Sequence, residues 1–323
     1  MDSDVNEMRA ALYDSYGPPE VLYVGKVPVP VPQQDEVLVR VHAVSVNGGE
    51  RHVRAGRVRL MSGRRFPQLT GVDFAGEVAA VGAAVTGPRE GDRVWGLLPR
   101  GRFGSAAEYV AVHPRRISLA PAGLTLAEAV SLPATGTTVI TALRDKAGLR
   151  PGERLLVRGA SGGVGSAAVQ FGKALGAHVT ALAGPKNLDF IRDLGADEAL
   201  SYSTVHPSDL GAFDVILDTV GTRHSAYRKL LAPGGRMVAI AFDTENILSS
   251  LSYILASTLH GPRRVRFFSG NPRHKLLAEL TRYVETGAIR PAVDTVHPLA
   301  DIAAAHRALE AGGVRGKHVI QIT

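Results

Sequence analysis

At 323 residues, with 45% hydrophobic and 21% charged residues, the chain is too long for one small core, suits two globular domains and lacks the composition of a disordered protein. It contains no cysteine, which excludes disulfides, thiolate metal clusters and a cysteine nucleophile, so any metal would need histidine and carboxylate ligands alone. The net charge of +7 is modest for this length, and the arginines of RHVRAGRVRLMSGRR (51 to 65) and GPRRVRF (261 to 267) lack the interleaved aromatics that would indicate nucleic acid. They read either as a solvated basic surface or as an entrance that draws in an anionic substrate or cofactor phosphate.

In chain order, the opening MDSDVNEMRA carries acids and no apolar h-region, so no secretory signal is expected and the protein is placed in the cytoplasm. No apolar run reaches the roughly 18 to 20 residues of a bilayer span, so no membrane partner is expected. Up to about residue 120, EVLVRVHAVSV (36 to 46), FAGEVAAVG (74 to 82), GDRVWGLL (91 to 98) and AEYVAVH (107 to 113) read as strands separated by Gly and Pro turns. From EAVSLPATGTTVITALRDKAG (128 to 148) onward, RLLVRG (154 to 159), HVTALA (178 to 183), EALSY (198 to 202), FDVILDTV (213 to 220) and GGRMVAIA (234 to 241) alternate with helical segments. Alternation of this kind implies a parallel sheet with helical crossovers, hence an α/β chain. The expected division is a β-rich domain over 1–125, completed by a returning segment 291–323, and a nucleotide-binding domain over 126–290. The last strand, GKHVIQI (316 to 322), needs a sheet to join and is placed on the first domain.

Between RLLVRG and the next helix lies Ala160-Ser161-Gly162-Gly163-Val164-Gly165, an Ala-x-Gly-x-x-Gly spacing in the strand-to-helix context that makes such a motif informative. Gly162 would let a pyrophosphate approach the backbone, Gly165 would let helix and strand pack closely, and the helix N-terminus would attract the anion. Two other readings share these residues. Gly159 to Gly163 also fits the G-x-S-x-G elbow of serine hydrolases, with Ser161 as nucleophile and Asp218 and His260 as candidate partners. The other is a glycine turn with no ligand; a P-loop lacks its Gly-Lys-Ser/Thr closure. At the end of the second strand, where an NAD site has Asp or Glu, the chain reads Gly184-Pro185-Lys186-Asn187. A missing carboxylate removes repulsion against a 2′-phosphate and Lys186 would attract one, which favours NADPH over NADH.

The run LPATGTTVITALRDKAGLRPGERLLVRGASGGVGSAAVQFGKALGAHVTA (132 to 181), with GVDFAGEVAAVG (71 to 82) and GDRVWG (91 to 96), resembles the medium-chain dehydrogenase/reductase superfamily. It is most similar to the zinc-independent quinone oxidoreductase and enoyl reductase branch. The resemblance implies a GroES-like β-rich catalytic domain, a Rossmann NADP-binding domain, an active site in the cleft between them, and a homodimer. Asn47 stands where zinc-dependent members carry a catalytic cysteine, and Gly71-Val72-Asp73 where they carry Gly-His-Glu, so the expected metal is none. Gly49 replaces a hydroxyl residue of their proton relay. Asn47, which matches an Asn common in this branch, is the candidate donor to a substrate oxygen. His52, at the relay histidine's place, is the candidate proton source with an unperturbed pKa near 6.5.

By the same resemblance Thr138 lies near the nicotinamide and phosphates, and Tyr202 matches an adenosine-phosphate contact of NADPH-using relatives. The backbones of Ala241-Phe242 and Phe268-Ser269 border the nicotinamide, and Lys317 in RGKHVI returns toward the cofactor. The divergent stretch 244 to 268 reads as an amphipathic helix, a flap over the substrate or part of a dimer contact, ending in VRFF as an edge strand. The implied reaction is hydride transfer from NADPH to a conjugated carbonyl compound or quinone. Alternatives are a reductive cyclase or enoyl reductase of a natural-product pathway, a zinc-free ketone or alcohol dehydrogenase, and a non-catalytic NADP-binding sensor.

Overall fold

The structure, a computed structural model, describes residues 6–58, 65–241 and 265–323. The chain forms two compact units, the first comprising 1–134, 271–286 and 293–323, the second 135–270 and 287–292.

The first unit begins with β1 (Glu7–Tyr13) and β2 (Tyr23–Pro28), which pair antiparallel, and β4 (Gln68–Leu69) joins the other side of β1. A second sheet is built on β3 (Val37–Ser45), β5 (Asp73–Val81), β6 (Arg93–Leu97), β7 (Tyr109–Val112) and β8 (Ile117–Leu119). The alternation read in the sequence sets its faces. Val37, Val39 and Val41 are buried, while Arg40 points outward and pairs with Glu77 across the strands at 2.8 Å. Helix α1 (Gly48–Arg54) follows β3 directly.

In the second unit β9 (Arg154–Arg158), β10 (His178–Ala183), β11 (Glu198–Ser201), β12 (Phe213–Asp218), β13 (Leu231–Ala239) and β14 (Val265–Phe267) form one sheet in the order β11-β10-β9-β12-β13-β14. Every pairing in it is parallel. Strands buried on both faces are expected to read as continuous apolar runs, and LLV of β9 and VIL of β12 do. Helix α2 (Gly163–Ala174) leaves the end of β9. The strand read in VRFF takes the edge position as β14, while 242–264, including Phe242, His260 and most of the divergent stretch, lie outside the described residues.

The sequence boundary at residue 290 puts α3 (His274–Glu285) in the second domain, but the structure gives it to the first unit. Its Leu277 and Leu280 are buried, Thr281 Oγ1 donates to the Leu119 carbonyl at 2.9 Å, and His274 Nδ1 lies 2.8 Å from the Ile117 carbonyl, so the helix is packed on β8. The chain then adds β15 (Val293–Pro298), α4 (Ile302–Ala311) and β16 (Lys317–Gln321). β16 pairs antiparallel with β3, as the sequence predicts for the last strand, and completes a seven-stranded sheet. One helical stretch, 126–147, has the length and mean apolarity of a bilayer span, although Pro133, Gly136 and the charges of Arg144 to Lys146 interrupt it. Of its most apolar window, 67% is buried in the protein, as in a core helix.

Candidate active site

The end of β3 carries a buried polar cluster. Asn47 caps the start of α1 in extended conformation but gives its side chain elsewhere. Its Nδ2 donates toward the Ser45 carbonyl at 3.0 Å, Glu50 Oε1 at 3.0 Å and Asp73 Oδ2 at 3.2 Å, and its Oδ1 accepts from Lys317 Nζ at 2.6 Å. Lys317 also donates to the Val46 carbonyl at 2.6 Å. Glu50 Oε2 accepts from Thr70 Oγ1 and the Gly71 amide, and Asp73 accepts from the Ser45 amide and hydroxyl. Ser45, Glu50, Thr70, Asp73 and Lys317 are all buried. Two carboxyl groups and one ammonium thus meet at the Asn47 amide, which bonds all three. Burial, then the Asp73 charge, pushes the Glu50 carboxyl up to about 7, while burial raises Asp73 and lowers Lys317.

This arrangement fixes the hydrogen-bond partners of Asn47 and Lys317, and α1 carries His52 beside it. A primary amide has two N–H donors, and three acceptors already surround Asn47 Nδ2, so no amide proton is left for a substrate oxygen. Asn47 ties the β3–α1 loop to Glu50, Asp73 and Lys317. Lys317, expected near the cofactor, has its ammonium on Asn47 and Val46. His52 does not have the unperturbed pKa expected of it: burial, then the Arg51 and Arg57 charges, brings it down to about 4. Its Nε2 accepts from Arg51 Nε at 3.2 Å, and its buried Nδ1 has no hydrogen-bond partner. At neutral pH it is an uncharged imidazole and a poor acid. His52→Asn is therefore expected to leave the pH dependence of turnover between pH 5 and 8 unchanged; a shifted limb in the pH profile would restore His52 as proton source.

In the second unit, parallel strands put every segment that follows a strand at one edge of the sheet. Ala160 to Gly165 follow β9, Lys186 follows β10, Tyr202 follows β11, Ala241 follows β13, and Phe268 and Ser269 follow β14, so the sheet gathers these predicted residues along its carboxyl edge. Thr138 is half-buried in the helix Pro133–Val139. The glycine loop fits a dinucleotide. A Cβ on Gly162 would meet nothing nearer than the Gly159 carbonyl at 3.6 Å, which leaves open space above the backbone. Gly162 is the N-cap of the 12-residue α2 and provides no side-chain acceptor, so the first-turn amides stay available to an anion. Tyr202 is 63% exposed, with its hydroxyl 3.2 Å from the place of a Cβ on Gly184, so it stands beside the carboxylate-free GPKN turn that holds Lys186.

One side chain the sequence reading passed over, Arg158, ends β9 at the start of this loop. Arg158 Nη1 donates to Asp218 Oδ2 at 2.7 Å and to the Thr222 carbonyl at 2.8 Å, and its guanidinium lies 3.6 Å from the Tyr227 ring centroid. Asp218, proposed above as a hydrolase acid, is occupied by Arg158, by the Val220 and Gly221 amides and by His224 Nε2 at 3.1 Å. Burial works to raise its pKa, but His224, Arg158 and the backbone donors outweigh it and hold the carboxyl below its ordinary value. A carboxylate held this way is not free to orient a catalytic histidine.

Comparison with known proteins agrees with this architecture. Residues 33–122 match the alcohol dehydrogenase GroES-like domain family and 194–320 the zinc-binding dehydrogenase family. The chloroplast envelope quinone oxidoreductase homolog of Arabidopsis thaliana is 31% identical, over 97% of this chain and 98% of that protein. The 2-methylene-furan-3-one reductase of Solanum lycopersicum is 34% identical, over 98% of this chain and 79% of that protein. The structure of the quinone oxidoreductase from Coxiella burnetii matches with a TM-score of 0.89 at 28% identity, over 98% of this chain and 100% of that one. With a glycine loop at the switch point of a six-stranded parallel sheet and near full-length likeness, the chain belongs to the medium-chain dehydrogenase/reductase superfamily, in its quinone oxidoreductase-like branch, and is an oxidoreductase with a nicotinamide cofactor.

Proposed function

We propose that the protein is a zinc-independent, NADPH-dependent reductase that delivers hydride to a conjugated carbonyl compound or a quinone. The observation that carries the zinc-free reading is the Lys317 ammonium 2.6 Å from Asn47 Oδ1. Asn47 stands where metal-dependent members place a cysteine, and a buried ammonium at that point opposes a dication. Among the described residues no group of three or more His, Cys, Asp or Glu side chains is arranged to hold a metal. The zinc-binding dehydrogenase match covers 194–320, so it includes neither Asn47 nor Gly71-Val72-Asp73.

NADPH is favoured by the carboxylate-free end of β10, with Lys186 and Tyr202 beside it. The α2 N-terminus and the Gly162 backbone would hold the pyrophosphate. When bound, NADPH supplies the hydride. With Asn47's amide protons taken and His52 neutral, the β3–α1 loop offers no strong acid to a carbonyl oxygen. Enones, enoyl thioesters and quinones suit such a site, because the charge left by hydride spreads into an enolate or hydroquinone oxygen. The relatives' names, a quinone oxidoreductase homolog and a methylene-furanone reductase, support the same substrate classes.

The test is a titration followed by an assay. NADPH is expected to bind about tenfold or more tightly than NADH, read from cofactor fluorescence, and to reduce 1,4-quinones or enones at a rate unaffected by chelators. Equal affinities would overturn the phosphate reading at Lys186 and Tyr202. One zinc atom per chain in the active protein would overturn the metal-free reading.

A further inference from the structure

Arg158 is an unusual side chain for its place. It ends a strand whose preceding three residues are fully buried, it is itself buried, and the glycine loop begins at the next residue. Replacing a buried ion pair by apolar side chains is often neutral or stabilising, so a pair retained here is weak evidence for stability and better evidence for geometry. Its contacts show which geometry. Arg158 and Asp218 are register partners on β9 and β12, the two neighbouring strands at which the strand order reverses. From Asp218 the carboxylate reaches forward to the Val220 and Gly221 amides, and from Arg158 the guanidinium reaches the Thr222 carbonyl. Thr219 Oγ1 closes the circuit by donating to the Arg158 carbonyl at 2.7 Å, with the Gly159 carbonyl at 3.5 Å. Tyr227, on the short helix His224–Arg228, caps the guanidinium face.

We propose that Arg158, Asp218, Thr219 and Tyr227 form a clasp that sets the 219–222 segment at a fixed distance from the glycine loop, making Arg158 a positioning residue for the nicotinamide cofactor. The inference rests on the cofactor reading above. The clasp touches both walls of the switch-point crevice from below: the start of the glycine loop through the Arg158 and Gly159 carbonyls, the 219–222 wall through two amides and a carbonyl. A cation that stacks on an aromatic ring while bonding a carboxylate and a carbonyl is held in one orientation, which an aliphatic side chain of equal volume cannot reproduce.

The experiment measures NADPH affinity by fluorescence on wild type, on Arg158→Met with Asp218→Asn, and on Thr219→Val. The double variant removes both charges of the Arg158–Asp218 pair together; Thr219→Val removes only the hydroxyl tie, leaves the pair and His224 in place, and serves where the double variant fails to fold. Each folded variant is expected to raise the NADPH Kd about tenfold, and Arg158→Lys to fall between it and wild type. In a 1,4-benzoquinone assay the effect should appear in the KM for NADPH, with kcat and the KM for quinone within about twofold of wild type. A purely structural role would lower melting temperature and active fraction without moving either constant. Folded Thr219→Val or double variant with wild-type Kd overturns the clasp. Failure of wild type itself to bind either nicotinamide dinucleotide overturns the cofactor reading on which the clasp rests.

Discussion

Gly165→Ala is expected to lower the melting temperature by about 5 to 10 °C or to prevent folding, while Gly162→Ala keeps the wild-type melting temperature and weakens NADPH binding about tenfold or more. The two glycines stand three residues apart in one motif, yet their surroundings differ. A Cβ on Gly165 would lie 2.1 Å from the Gly159 carbonyl oxygen and 2.7 Å from Ala160 Cα. Both are backbone atoms at the β9–α2 junction, so no rotamer change relieves the clash and the helix must move off the sheet. Overpacking of this kind costs about 1–3 kcal/mol, and more where backbone must shift. A Cβ on Gly162 has only an ordinary contact at 3.6 Å, and its φ of −73° suits any residue. The added methyl group would occupy space that a pyrophosphate needs to reach the first-turn amides. Melting curves and cofactor titrations on the two variants separate these effects. An unchanged NADPH affinity in Gly162→Ala would mean that the phosphates do not lie on this loop.

Local features of the fold were legible in the sequence because their causes are local. LLVRGASGGVG shows a buried strand, a glycine turn and a helix start within a dozen residues, and the structure has β9, the loop and α2 there. The alternation in VLVRVHAVS predicts which side chains of β3 face the core. The GPKN turn could be read as carboxylate-free without any structure. The polar cluster could not be read the same way. Lys317 meets Asn47 across 270 residues of chain, and Glu50 meets Thr70 across 20, contacts that no periodicity encodes. The available signal was weaker: Asp73 opens an otherwise apolar run, and Arg158 ends one, and a charge in such a place must find a partner. The amphipathic pattern of α3 announces a helix but not the strand it covers, which is why the boundary at 290 failed for 274–285. His52 was misjudged for a related reason, since its pKa depends on burial that α1 alone does not reveal.

Glu50 and Lys317 give the second large effect, and its sign follows from proton counting. Glu50 titrates near 7 in the folded protein and near 4.5 as an ordinary side chain. Between these pH values the unfolded chain releases a proton that the folded chain keeps, so this group makes stability fall as pH rises, by at most about 1.4 kcal/mol per pH unit, with the loss complete above about pH 7. His52, lowered to about 4, and His306, lowered to about 3, act in the opposite direction: they stay neutral when folded and take up protons when unfolded as pH drops below about 6.5. The wild-type profile mixes both slopes, whereas the difference between wild type and Glu50→Gln isolates the carboxyl. Glu50→Gln is expected to equal wild type at pH 5 and to exceed it by a few kcal/mol at pH 8, measured by urea denaturation. Lys317→Met should do the reverse, costing about 3–5 kcal/mol at pH 8 because the buried Glu50 and Asp73 lose the nearby Lys317 charge that favours their ionised forms, and less at pH 5, where a proton takes its place. Combining the two substitutions should recover part of that loss, since one carboxylate then remains instead of two. If Lys317→Met proved as stable as wild type at pH 8, the buried charges would not be coupled, and the account of Asn47 as a loop anchor held between Lys317 and two carboxyl groups would fall with them.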